Sequence, residues 1–257
     1  MYPKFFGVIE SYSVMLILAF IAALVLFEVY FRKIIKEPGE KVFYLEISVI
    51  STVIMGLIGA YVIQNLYNFI QDPSSYHWTW ALTFYGGLIF GIPTFFLIYN
   101  LWAKKHYPGS WEKILWIAPS CVTLAHGIGR IGCFLEGCCY GIETDAWFGI
   151  KFETTATKVV PTNLFEAIFL FLLAGVLLFL AIKKHCPYGV SIYLISYGVW
   201  RFCIEFVRGD YRGSFIPGLT PSQAWSILLV LLGIGYLLFR ILYFNKRLAK
   251  QNHETLD

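Results

Sequence analysis

The chain has 257 residues, 58% of them hydrophobic and 14% charged, with a mean hydropathy of +0.66. Soluble domains carry about 25% charged residues, and no soluble core of this length could hide so much apolar surface; the composition therefore excludes an ordinary soluble domain and specifies a polytopic membrane protein. The net charge of +4 is spread over short loops with no long basic patch, so no nucleic-acid partner is expected.

Seven segments reach the roughly 20 apolar residues that a bilayer crossing needs: near 11–31, 42–66, 79–102, 114–131, 162–182, 189–208 and 221–243. The first is too long for a signal-peptide core and no small-x-small cleavage site follows it, so it reads as a retained helix. Short loops and the lack of an internal repeat predict a single all-α integral membrane domain over 1–257. Thirteen lysines and arginines follow the first, third, fifth and seventh spans, among them Arg32, Lys33, Lys104, Lys105, Lys183, Lys184, Arg240, Lys246, Arg247 and Lys250. The opposite side has four: Lys4, Lys151, Lys158 and Arg212. That bias predicts the N-terminus outside and the C-terminus in the cytoplasm. Trp78, Trp80, Trp102, Trp111 and Trp147 near span ends fit interfacial belts.

Taken in chain order, the spans bring polar groups to one level. Tyr12 opens the first span, Tyr61 lies near the outer end of the second, and Tyr85 sits about two turns into the third. Span four runs outward, so His126 and Arg130 lie at its outer end, at the head of HGIGRIGCFLEGCCYG (126–141). Glu166 sits one turn into span five. In span six, Tyr197, Arg201, Glu205 and Arg208 are spaced i, i+4, i+8, i+11 and line one helical face. Charge on such a face costs several kcal/mol in lipid, so it must look into protein or a wet cavity.

Arginine's planar fork grips phosphate oxygens in pairs and keeps its charge when half buried. Arg130, Arg201 and Arg208 against Glu166 and Glu205 therefore read as an anion pocket for a phospholipid headgroup, with Glu205 holding Arg201 and Arg208 in place. The alternative is a purely structural ion-pair network tying span six to span four. Gly127 to Gly132 matches GxGxxG literally, but that fingerprint needs a strand before it; here the glycines predict close helix packing and local unwinding beside a polar cavity. Asn163 and Gln223 read as helix caps or headgroup contacts, Glu136 as a headgroup contact or a solvated loop charge, and Asp145 as a solvated loop charge.

Cys133, Cys138 and Cys139 admit more than one reading. C-x4-C-C with one histidine is a poor match to zinc-site spacing, so no metal is expected. A Cys138–Cys139 disulfide is disfavoured, because adjacent Cα atoms lie about 3.8 Å apart and a disulfide spans about 4.4–6.8 Å. A Cys133–Cys138 or Cys133–Cys139 bridge is open on an oxidising face. Small apolar filler and a redox or catalytic role both remain open for the trio. Cys121 and Cys203 read as filler and Cys186 as incidental.

The order HGIGRIGCFLEGCCYG, PTNLFEA, PYGVSIYLISYGVWRFCIEFVRGD and LTPSQAWSI, with SYSVM and FYGGLIFG before it, resembles the prolipoprotein diacylglyceryl transferase family along most of the chain. The resemblance implies an enzyme of the bacterial cytoplasmic membrane working at the outer leaflet. It would move the diacylglyceryl group of phosphatidylglycerol to the cysteine thiol of an exported prolipoprotein, without metal or cofactor. Arg130 matches the arginine of the family's GRxGNF signature; Arg201, Glu205 and Arg208 match RxxxEFxR, Tyr197 the YG before it, Tyr12 the first-span tyrosine and Glu166 the glutamate of a PSQLYE-like segment.

Five positions depart from that pattern: Tyr85 replaces the SFHGG histidine, Cys133 the asparagine of GNF, Cys138 the glutamate of NGE, Ile142 the arginine closing that motif, and Tyr61 the second-span arginine. Arg130, Arg201 and Glu205 are thus expected in catalysis, with His126 or Tyr85 as base. Tyr12, Tyr61, Cys133, Glu136, Cys138, Cys139, Glu166, Tyr197 and Arg208 are expected around the substrate. A relative with another lipid donor or acceptor, working through a cysteine nucleophile, is the alternative within the enzyme class. Outside it stand a non-catalytic lipid-binding membrane protein, a transporter and a thiol-redox protein.

Overall fold

The computed structural model describes residues 4–5, 9–74, 76–79, 83–209 and 219–254. Trp80 and Arg212 lie outside the described residues, as do the side chains of Lys4, Tyr85, Lys246, Arg247 and Lys250. Apart from a two-residue pairing of β1 (Lys4–Phe5) with β2 (Ile9–Glu10) and a few isolated bridges, the described elements are helical: α1 Ser11–Val29, α2 Gly39–Gln71, α3 Phe84–Ile98, α4 Lys104–His106, α5 Ser110–Glu136, α6 Thr162–Lys184, α7 Gly189–Ile204 and α8 Pro221–Glu254.

Among the described residues, six helical segments are long and apolar enough to cross a membrane: Ser11–Ile34, Gly39–Ile70, Ser110–Glu136, Thr162–Lys184, Gly189–Val207 and Pro221–Tyr243. The third expected span is represented by α3, 15 residues long with Pro93 inside it, prolonged by a π-helical turn at Tyr99–Ala103. The lipid-type surface is plain in the side chains: Leu172, Leu231, Phe239 and Ile17 are all exposed, as a helix facing hydrocarbon must be.

The chain forms two compact units, Met1–Phe27 with Glu112–Asp257, and Glu28–Trp111. In the second unit, α2 and α3 pack through small residues. A Cβ on Gly59 would meet the Cβ of Phe90 at 2.5 Å, and one on Gly91 would meet the Thr52 carbonyl oxygen at 3.3 Å. Such stripes let backbones approach where lipid offers no hydrophobic drive. Asn65, 2% exposed, ties the far end of α2 to the following loop. Its amide donates to the Tyr61 and Thr79 carbonyls at 2.9 and 3.0 Å and accepts from Thr79 N–H at 2.9 Å.

The first unit positions the site. Gly127 brings α5 onto α6, where a Cβ would sit 2.9 Å from the Phe171 ring, and Gly132 brings it onto α1, 3.0 Å from the Tyr12 ring. Gly198 seats α7 against α8, 2.8 Å from Val230. Ser120 Oγ, buried in α5, donates to the Ala174 carbonyl of α6 at 3.0 Å, and Thr123 Oγ1 takes the Pro119 carbonyl at 2.6 Å, beside the proline in mid-helix.

Two expectations change here. The glycine-rich stretch 127–132 is not unwound: α5 runs unbroken to Glu136, and the backbone first leaves the right-handed region at Gly137, φ 73. The glycines serve packing instead. Nor does Arg208 share the α7 face with Tyr197 and Arg201. α7 ends at Ile204, a 3-10 turn covers Glu205–Val207, and Arg208 is extended at φ −77, ψ 142. An isolated bridge to Gly141 holds it there, so strand-type pairing with the loop after α5 wins over helix continuation.

A candidate anion-binding site at the α5–α6–α7–α8 junction

Five ionic side chains meet in the first unit, from α5, α6, α7 and the 3-10 turn and extended segment that follow α7. Arg130 on α5 sends Nη2 to Glu166 Oε1 on α6 at 3.0 Å. Tyr197 on α7 donates its hydroxyl to the same oxygen at 2.8 Å. Glu166 is fully buried, so this carboxylate is held by a guanidinium and a phenol in a dry place. Arg201 Nη2 reaches Glu205 Oε2 at 2.8 Å and Ser222 Oγ at 2.9 Å. Arg208 Nε lies 3.7 Å from Glu205 Oε2, so Glu205 stands between the two arginines as expected.

The start of α8 fixes Glu205 in turn. Thr220 Oγ1 donates to Glu205 Oε1 at 3.0 Å. Thr220 and Gln223 also form a capping box: Gln223 N–H donates to Thr220 Oγ1 at 3.2 Å and Thr220 N–H to Gln223 Oε1 at 3.1 Å. Gln223 thus caps its helix. The T-P-S-Q spacing carries that signal in the sequence; Ser222 and Thr220 as partners of the ion pairs carry none, because their contacts cross between elements.

Three guanidiniums face two carboxylates, which leaves one positive charge in excess. Among the described residues, Arg130 Nε, Arg201 Nη1 and Glu166 Oε2 are buried without a hydrogen-bond partner. Buried polar atoms in native proteins are almost always paired, and an orphaned charged donor costs about 1–3 kcal/mol or more. Surplus charge and orphaned guanidinium donors together make this a candidate site for an anion with several acceptor oxygens.

The other expected residues fall around this frame. His126 lies one turn before Arg130, its Nδ1 3.4 Å from the Tyr193 hydroxyl and its ring edge-on to Tyr197 at 4.7 Å. Tyr12 of α1 packs against Gly132 within electrostatic reach of Arg130 and Cys133. Glu136 closes α5, and Asp145 is exposed in the loop, as a solvated charge should be. Tyr61 belongs to the second unit, where its ring meets Trp78 edge-on at 5.3 Å. Tyr85 lies in the first turn of α3, with its side chain outside the described residues.

The three cysteines converge. All are free thiols, and the Sγ atoms of Cys133, Cys138 and Cys139 lie within 4.8 Å of one another. A turn brings them together: Cys138 N–H donates to the Cys133 carbonyl at 3.1 Å and Gly137 N–H to the Phe134 carbonyl at 3.2 Å, closing α5 in the manner of a Schellman cap. The carbonyls of Gly137, Cys138 and Cys139 each accept from a side chain: Thr154 at 2.8 Å, Asn163 at 2.8 Å and Thr162 at 2.9 Å. Asn163 therefore clamps this turn. Hydrogen bonds from Cys133 and Cys138, helped by the Arg208 guanidinium, hold the Cys139 thiol well below the ordinary thiol range. Beside the turn opens a cleft of about 420 Å³ lined by Tyr140, Ile142, Glu143, Thr155 and Thr157 among others.

A family model described as prolipoprotein diacylglyceryl transferase matches residues 4–239. The chain is similar to the phosphatidylglycerol–prolipoprotein diacylglyceryl transferase of Clostridium tetani, 34% identical over 261 residues, covering 95% of this chain and 98% of the relative. It is similar to the protein of that name numbered 2 in Clostridium perfringens, 35% identical over 250 residues and covering 93% of each. The Francisella tularensis protein of that name is 30% identical over 227 residues, covering 84% of this chain and 80% of the relative.

Proposed function

The chain belongs to the prolipoprotein diacylglyceryl transferase family, and from that premise we propose that it transfers the diacylglyceryl group of phosphatidylglycerol to the cysteine thiol of a prolipoprotein. The observation that carries the site assignment is the excess of guanidinium over carboxylate at the α5–α6–α7–α8 junction, with orphaned donors on Arg130 and Arg201. Arg130, Arg201 and Arg208 grip the lipid phosphate. Glu166 with Tyr197 positions Arg130, and Glu205 positions Arg201 and Arg208.

In the reaction a base takes the acceptor thiol's proton, and the thiolate attacks the diacylglyceryl carbon next to the phosphate ester. The C–S bond forms as the C–O bond breaks, and glycerol phosphate leaves with the electron pair. Guanidiniums fixed where that negative charge grows favour the transition state over the ground state. His126, against Tyr193 and Tyr197, is the base in this reading. Tyr12, packed against Gly132, and Glu136, at the end of α5, are headgroup contacts in this reading. The protein lies in the bacterial cytoplasmic membrane as seven spans, N-terminus outside, with the site towards the outer leaflet; the lysine and arginine distribution supports this orientation.

The test is direct. Purified protein is incubated with phosphatidylglycerol and a lipobox-cysteine peptide, and the diacylglyceryl thioether is sought by mass spectrometry beside an Arg130→Ala control. Product in the first and none in the second is the expected result. Folded, lipid-bound protein that makes no thioether would move the reading to another donor or acceptor.

A further inference from the structure

We propose that Cys133, Cys138 and Cys139 form a three-thiolate site for a thiophilic divalent metal ion, zinc, with the fourth coordination position open to an incoming thiol. Counted along the chain, C-x4-C-C is a poor zinc spacing; in space, the turn after α5 gathers all three sulfurs to within 4.8 Å of one another. Zinc–thiolate bonds of about 2.3 Å place the sulfurs about 3.8–4.0 Å apart around one ion, so only small side-chain rotations separate the observed cluster from a closed site.

The turn is built to hold that convergence. Three successive carbonyls, from Gly137 to Cys139, are each clamped by a side chain from elsewhere in the fold. Cys139 sits at φ 59, a left-handed conformation uncommon for a non-glycine residue. Apolar filler explains none of this, because filler needs neither a shared focus nor a fixed turn. A disulfide would use two sulfurs and leave the third.

The donor set names the ion class. Three thiolates, with no carboxylate or imidazole among them, select soft or borderline metals and reject calcium and magnesium. Three thiolates around a divalent ion carry one net negative charge. The Arg208 guanidinium, which hydrogen-bonds Cys139, is an outer partner of the kind metal sites use. Three protein ligands are also what zinc sites with an exchangeable fourth position have. A thiol entering that position binds as the thiolate, its proton released to water. The assignment of that thiol to the prolipoprotein cysteine rests on the transferase reading; the metal site does not.

The full-length protein in detergent, reduced with a phosphine, is loaded with zinc, desalted and measured for metal by plasma mass spectrometry. One zinc per chain is expected, bound at least tenfold more weakly in each of Cys133→Ser, Cys138→Ser and Cys139→Ser, and unchanged in Cys203→Ser. Gel filtration and melting confirm that each variant is folded. Folded protein with all three thiols titratable and no retained zinc would overturn the site, as would zinc retained by the triple serine variant. Cobalt(II) replaces zinc to read the fourth position. A lipobox peptide with cysteine should strengthen the thiolate-to-cobalt absorption and the same peptide with serine should not. An unchanged spectrum with bound cysteine peptide would overturn the open position. Neither readout needs turnover, so a failed transfer assay and a failed metal site are told apart.

Discussion

Two sets of ion pairs in the first unit differ in how their charges balance. At the start of α5, Glu112 takes Arg240 of α8 through both oxygens, Nη1–Oε1 at 2.9 Å and Nη2–Oε2 at 2.6 Å. One carboxylate meets one guanidinium in bidentate geometry, and the charge sums to zero. At the other end of the same helix, Arg130, Arg201 and Arg208 share Glu166 and Glu205 at distances from 2.8 to 3.7 Å. A fold that needed only to tie α7 to α5 had the first solution available. The second leaves one guanidinium more than its carboxylates, the imbalance on which the proposed anion site rests.

The comparison is tested most sharply at Arg130 and Arg201. Replacing either with alanine is expected to lower transfer by about 10²–10³-fold, the effect of removing one donor from a developing anion. A radiolabelled-lipid or mass-spectrometric rate gives the number, and a fall of less than threefold would reduce the cluster to a structural network. Glu166→Gln comes next. It keeps the acceptor for Tyr197 but removes Arg130's counter-charge, so transfer should drop about tenfold while bound phosphatidylglycerol changes little.

At the matched pair the prediction reverses. Glu112→Gln should lower unfolding stability by about 1–2 kcal/mol, less than a fully buried pair because the Glu112 side chain is 37% exposed. Transfer per folded molecule should not move. Smallest is Ala at Asp145, exposed in the loop, where both stability and transfer should stay within about 0.5 kcal/mol of the parent. A large effect there would mean the outer loop contacts substrate.

Much of the site was legible because its residues repeat at helical spacing. Tyr197, Arg201 and Glu205 were readable as a face from i, i+4, i+8, and Glu205 does stand between two arginines. Arg208 was placed on that face wrongly, since nothing in EFVRGD announces that a bridge to Gly141 will end the helix early. The glycines of 127–132 were read as loosening the helix, because a single sequence does not say whether Phe171 or Tyr12 will fill the space beside them. The spans followed from apolar length, except the third, which the described structure builds as a 15-residue helix with a π-helical extension. The cysteines were hardest. Spacing along a chain measures ligand geometry only when the backbone between is regular, and here the last helical turn folds back on itself.

That turn has a mechanical side. Thr162 and Asn163, which grip the Cys139 and Cys138 carbonyls, and Glu166, which grips Arg130, all belong to the opening turn of one helix. The thiol cluster and the arginine frame are therefore bolted to the same short rod. Any tilt of α6 that let a lipid slide past would shift both by the same stroke, so the two act as parts of one linkage, and neither can be re-aimed by substitution without dragging the other out of alignment.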